Sequence, residues 1–209
     1  MGRVRRSDQD DPGGQLVDKT SLHATAEAIL WQRLDQPGHD AAWLVPQPDG
    51  YQLAGSAVFA QEGAPVRLDY LVVCDSRWQT RSARIRGWIG ASPIALDLTA
   101  DAARHWYQNA KECPAVTGCP DLDLSFSPVT NLLPIRRLEL AVGEAAEVRA
   151  AWLRFPSFTL EPLDQRYRRT GPTSYHYESA GGEFQRELEV NAAGFVIRYP
   201  GLWQAEAAT

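Results

Sequence analysis

The chain has 209 residues, 44% of them apolar and 22% charged, which suits one core-forming domain and excludes a disordered or collagen-like composition. Its formal net charge of -5 disfavours nucleic acid and anionic membrane surfaces as partners, since both call for a basic face that displaces counterions or meets lipid headgroups. Three cysteines cannot build a disulfide framework and leave one thiol over in any pairing, a usage that fits a reducing cytoplasm.

The stretch from Gly2 through Arg3, Arg5, Arg6, Asp8, Asp10 and Asp11 to Gly14 mixes both charges with turn residues and offers nothing to bury. Residues 1–22 are therefore expected to form a flexible arm, and residues 23–209 a single β domain. Met1-Gly2 is not a myristoylation signal, because Arg6 stands where Ser or Thr is needed. There is no apolar run for a signal peptide and no stretch of about 18 uncharged apolar residues. A cytoplasmic protein without integral membrane association is expected.

From about Ala26 onward, short apolar-rich stretches alternate with turn signals, and no long segment keeps a 3.6-residue period. Pro48-Asp49-Gly50 separates a strand at Ala42 to Val45 from one at Tyr51 to Phe59, and Glu62-Gly63-Ala64-Pro65 precedes a third at Val66 to Cys74. Ala83 and Ile85 oppose Arg84 and Arg86 across a strand. Ala102 to Gln108 and Pro128 to Leu140 are expected to be helical turns or irregular connections, since prolines interrupt the second. Near the C-terminus, Tyr175 and Tyr177 share a face. Leu188 and Val190 interleave with Glu187 and Glu189, and a turn at Asn191 to Gly194 leads to Phe195, Ile197 and Tyr199. The fold class expected is mainly all-β and antiparallel.

Two polar clusters stand out. In Asp121-Leu122-Asp123-Leu124-Ser125, a strand would put the two carboxylates on one face, roughly 6.5 to 7 Å apart along the chain. That spacing is compatible with an acid–base pair, with ligand contact, or with neutralisation by Arg136 and Arg137. In Asp75-Ser76-Arg77-Trp78-Gln79-Thr80-Arg81, a carboxylate, an indole and guanidinium groups meet in a capped turn that could also stack on and hydrogen-bond a sugar. Of the seven tryptophans, most are expected in the core. Cys113 and Cys119 lack a partner His or a second cysteine pair, so a loop disulfide or two inert thiols is expected in place of a metal site, and the four histidines are scattered. The common nucleotide, hydrolase and zinc-protease motifs are absent, so no catalytic residue, metal or cofactor is assigned.

Several segments together resemble the bacterial family described as putative glycolipid-binding. They are Leu30-Trp31-Gln32-Arg33-Leu34-Asp35, Asp69-Tyr70, Cys74-Asp75, Trp78 to Arg81, Gly118 to Asp123, Thr130-Asn131-Leu132-Leu133-Pro134-Ile135-Arg136-Arg137-Leu138, Phe155-Pro156, Gln165-Arg166-Tyr167, Gly194-Phe195-Val196 and Tyr199-Pro200. The resemblance runs from about Ala28 to Trp203. It implies one strongly curved antiparallel sheet forming a half-barrel, similar to bacterial lipoprotein carriers, with a concave groove for an amphipathic ligand. Pro120 departs from the family's pattern, in which an apolar residue is expected.

On these grounds the chain is expected to bind or carry a glycolipid-like amphiphile. The contacts expected are Asp75, Trp78, Arg81, Asp121, Asp123, Thr130, Asn131, Arg136, Arg137, Gln165 and Tyr167. Two alternatives stay open: a hydrolase or isomerase acting on a sugar or lipid through Asp121 and Asp123, and a protein-interaction scaffold.

Overall fold

The computed structural model describes residues 26–209; the expected N-terminal arm lies outside them. The first part of the chain forms β1 (Glu27–Arg33), β2 (Gly38–Gln47), β3 (Gly50–Gln61), β4 (Ala64–Asp75), β5 (Thr80–Ile89), β6 (Ser92–Ala100), β7 (Trp106–Gln108) and β8 (Lys111–Glu112). Next come β9 (Asp121–Leu124), a 3-10 turn over Pro128–Asn131 and the helix α1 (Leu132–Leu138). The remaining strands are β10 (Ala145–Leu153), β11 (Leu160–Arg169), β12 (Ser174–Ser179), β13 (Phe184–Val190), β14 (Val196–Tyr199) and β15 (Trp203–Ala208).

All fifteen strands belong to one open sheet, in the order β8-β7-β6-β5-β4-β3-β2-β1-β15-β14-β13-β12-β11-β10-β9. The all-β, curved-sheet expectation holds, with one amendment: β9 and β10 pair in parallel, so the sheet is mixed. The two meanders are joined by β15, which lies between β1 and β14 and pairs Trp31 with Ala205 and Tyr199 with Trp203. The predicted turns fall where they were read. Gln47 pairs with Gly50, and Gln61 with Ala64, closing the two tight hairpins.

Period two explains the long strands. In β4, Val66, Leu68, Tyr70, Val72 and Cys74 are buried, and the residues between them point the other way. Ala102 to Gln108 departs from expectation, because its last three residues form β7 against β6. A tertiary anchor overrides the weak local signal there: the Trp106 ring is fully buried, and its Nε1 donates to the Cys119 carbonyl at 2.9 Å.

The sheet curls around the segment from Ser127 to Leu138, which touches both meanders. Ser127 reaches Asp40 on β2 and Tyr70 on β4, Asn131 reaches Tyr167 on β11, and Arg137 reaches Asp121 on β9. Val129, Leu132 and Leu133 are completely buried between the two halves. The concave side is thus not the open trough implied by the half-barrel resemblance. Much of it is filled by this helical segment, because a bare curved sheet of this size would leave its apolar face in water. Pro134 is tolerated as the third residue of α1, where the backbone N–H has no intrahelical acceptor.

Gly55 on β3 lies directly opposite Tyr70 on β4. A Cβ at Gly55 would come within 2.3 Å of the Tyr70 hydroxyl and 2.6 Å of the Ala41 carbonyl oxygen. Gly55→Ala is expected to force the ring or the strand aside and to destabilise the fold by roughly 1–3 kcal/mol. Urea unfolding checks this, and an unchanged midpoint would show that the ring is not fixed by this contact.

Candidate functional site

What the helical segment leaves open is a cavity of 330 Å³ among strands β9 to β15, within the size range of small-molecule sites. Asp123, Ser125, Ser127, Asn131 and Ser179 supply its polar edge. Trp152, Leu163, Tyr177, Phe184, Tyr199 and Trp203 supply its walls. Three of these rings form one cluster: Tyr177 lies 6.1 Å from Tyr199 between ring centroids, with Phe184 edge-on to it at 6.1 Å, and Tyr167 packs against Tyr177 at 5.0 Å.

Asp121 and Asp123 are alternate residues of one strand, as the spacing predicted, but their surroundings differ. Asp121 is buried, and both its oxygens accept from Arg137, through Nε at 3.2 Å and through Nη2. Asp123 keeps an edge on the cavity and accepts from Gln165 Nε2 at 2.6 Å. Burial pushes the Asp123 carboxyl up to about 6; the Gln165 bond opposes the rise and the charge of Asp121 adds to it. Near neutral pH this group can therefore either accept from a ligand hydroxyl or, when protonated, donate to a ligand oxygen.

Behind the cavity lies a cluster that sequence reasoning missed. The Tyr70 hydroxyl donates to both oxygens of Asp40, at 2.9 and 3.0 Å, and Ser127 Oγ donates to Asp40 as well. Ser127 is the member that reaches the cavity wall, and its Oγ also caps the 3-10 turn by accepting from the Val129 N–H at 3.2 Å. Asp40 is fully buried. Burial pushes its carboxyl up to about 7, with the Ser127 and Tyr70 hydrogen bonds and the charge of Arg33 pulling the other way.

The structure gathers four of the predicted contacts around the cavity. Asp123 and Asn131 line it; Gln165 bonds to Asp123, and the Tyr167 hydroxyl accepts from Asn131 Nδ2 at 2.9 Å. Three more, the buried Asp121 among them, are structural neighbours. Thr130 Oγ1 accepts from the Leu124 N–H at 3.0 Å, and Arg137 neutralises Asp121.

The remaining four lie elsewhere. Asp75 is a turn cap, accepting from the Arg77 and Gln79 backbone N–H groups at 2.9 Å each. Arg81 is exposed and lies outside the cavity lining, because on β5 it is Thr80 that points inward. Trp78 is buried and stacks on Tyr51 instead of lining the cavity, and Arg136 lies over Trp78. Cys74, Cys113 and Cys119 are all free thiols.

A larger depression of 520 Å³ runs over β10, β11 and β12. Its charges pair with each other, Arg149 with Asp164 at 3.4 Å and Arg166 with Glu178 at 3.7 Å, with all but Glu178 on exposed side chains. Solvated pairs of this kind leave little to recognise a ligand. Among the described residues, no helix is long and apolar enough to cross a membrane, and no group of three or more His, Cys, Asp or Glu side chains could hold a metal ion.

An open β-sheet curled around its own short helix, with one aromatic-walled cavity beside a near-neutral carboxyl, defines the class of protein. The chain belongs to the family described as Putative glycolipid-binding, whose model matches residues 28–205. It is also similar to the crystal structure of a DUF1089 family protein from Pseudomonas aeruginosa, at 31% identity and a TM-score of 0.65, over 94% of this chain and 99% of that one. No curated protein matches it.

The two raised carboxyls give stability a pH dependence. Asp40 and Asp123 hold their protons more tightly folded than unfolded, where the ordinary value is 3.8. Their contribution is full below about pH 4 and is lost as pH rises through the folded values, about 6 for Asp123 and about 7 for Asp40. Between about pH 4 and pH 8, wild type is expected to lose on the order of 4 kcal/mol more than Asp40→Asn. Urea unfolding at a series of pH values tests this, and parallel curves would refute it.

Proposed function

We propose that this chain is a non-catalytic binding or carrier protein for an amphiphilic, glycolipid-like molecule, held at the cavity beside Asp123. The observation that carries the reading is one concave volume with two kinds of lining: Asp123, Asn131 and serine hydroxyls on one edge, and Trp152, Tyr177, Tyr199 and Trp203 around the rest. The family description supports it.

The two linings divide the work. Sugar-type hydroxyls need donors and acceptors that replace the water they lose, and Asp123 and Asn131 offer both. Aromatic faces stack on the apolar faces of sugar rings and cover acyl methylenes, each worth about 0.8 kcal/mol on burial. At 330 Å³ the cavity is small, so it would take the headgroup and the first part of a chain, with the rest of a long amphiphile lying outside. The acid–base reading of the Asp121–Asp123 pair gains no support, because both Asp121 oxygens are engaged by Arg137.

Native mass spectrometry after incubation with a bacterial lipid extract tests the proposal. Wild type and the exposed-surface control Arg81→Ala are expected to retain an amphiphile, and the cavity-filling Leu163→Trp to retain roughly tenfold less or worse. Asp123→Leu is expected to lose selectivity for hydroxylated headgroups while still taking simple acyl chains. Absence of any retained lipid in wild type, where a known lipid carrier retains one, would sink the reading, as would equal retention by Leu163→Trp.

A further inference from the structure

On the far side of α1 from the Asp123 cavity, the fold holds a cation without a counterion. The Arg136 guanidinium makes no hydrogen bond to the described residues, none of their carboxylates lies within 4.0 Å of it, and its Nε is the one buried polar side-chain atom among them without a partner. The other cations of the interior are answered. Arg137 binds Asp121, and Arg104 donates to the carbonyls of Thr80, Cys119 and Pro120. A half-buried guanidinium loses hydration without compensation unless an acceptor arrives.

Three features hold Arg136 in place. Its Cζ lies 5.2 Å from the Trp78 ring centroid, and Trp78 stacks in turn on Tyr51 at 3.6 Å with 10° between the planes. Trp78 adopts a φ of 65°, a left-handed conformation that is strained for a bulky residue. The turn is held against that strain by the two backbone N–H groups that Asp75 accepts. Gly194, at a φ of 98°, leaves room for the stem of Arg136: a Cβ there would lie 3.0 Å from Arg136 Cδ. Strain and a side-chain-free approach thus converge on one guanidinium that the protein itself does not use.

Arg136, Trp78 and Tyr51 share a pit of 270 Å³ with Leu44, Pro46 and Ala193. Glu27 also lines it, but forms no ion pair with Arg136. We propose that this pit is a second binding site, separate from the Asp123 cavity, for a small organic acid whose carboxylate or phosphate oxyanion pairs with Arg136 and whose apolar body rests on the pit's aromatic and aliphatic wall. Guanidinium is suited to this because its planar Nη–H donors match either oxyanion.

The test follows the Trp78 indole N–H resonance in ¹⁵N-labelled full-length protein, assigned by its loss in Trp78→Phe. Four probes are titrated at equal concentration: benzoate, phenyl phosphate, neutral benzamide and inorganic phosphate. Benzoate or phenyl phosphate is expected to shift the resonance saturably, benzamide and inorganic phosphate to bind roughly tenfold more weakly or not at all, and the choice between the first two fixes the oxyanion. Arg136→Gln is expected to lose the response, and Arg136→Lys to keep part of it, with both variants holding the wild-type thermal midpoint within a few degrees. The proposal is overturned if no probe shifts the resonance or if benzamide matches benzoate. It is overturned equally if inorganic phosphate binds as well as the aromatic acids, which would mean a bare ion site, or if Arg136→Gln responds like wild type.

Discussion

The structure depends on what fills the inside of its sheet. A fifteen-stranded open sheet with one apolar face must cover that face, and here the cover comes from the chain's own Ser127 to Leu138. Apolar side chains supply the burial, with Val129, Leu132 and Leu133 at zero exposure. Polar contacts fix the register. Ser127 ties the segment to Asp40 and Tyr70 on one meander, while Asn131 and Arg137 tie it to Tyr167 and Asp121 on the other. Each buried polar group in these ties has a partner, which is the condition for such contacts to specify an arrangement without destabilising it.

The same ties shape the site. Because the segment is anchored at both ends, its packing leaves a defined gap beside Asp123 in place of a loosely filled interior. Asp121 and Asp123 show how local the outcome is: two residues apart, one is neutralised by Arg137 and becomes part of the frame, while the other meets only the amide of Gln165 and faces the cavity. Asp40 is sealed from water, and burial raises its carboxyl toward neutrality against the pull of its two hydroxyl partners and of the Arg33 charge.

Much of the fold was legible in the sequence because the long strands repeat every two residues and their turns carry Gly and Pro. What escaped lacked that signal. β15 is mostly small residues, Trp203 to Ala208, and its place between β1 and β14 follows from long-range pairing that local pattern does not encode. β7 has three residues and is held by the buried Trp106. The parallel pairing of β9 with β10 needs a crossover, and nothing within four residues announces one. At the site, Asp123, Asn131, Gln165 and Tyr167 were readable through segments shared with the family. Asp40, Ser127 and Tyr177 were not, and Tyr199 stood in a shared segment without a role, because β2, the turn before α1, β12 and β14 meet only in the folded chain. Arg81 falls outside the cavity because a strand has two faces, which a composition cluster does not show.

Trp78 and Arg136 show a further limit of linear reading. Both were singled out as partners in one ligand site with Asp123, yet α1 carries Arg136 away from that cavity and the left-handed turn brings Trp78 to meet it. The fold therefore separates what the sequence clusters had merged: a cavity with a carboxyl edge on one side of the helix, and a guanidinium over an indole on the other. The two carry opposite charge and have different walls. One closely packed segment, with Val129, Leu132 and Leu133 at zero exposure, presents Asn131 to the first and Arg136 to the second, and so frames two places of different chemistry.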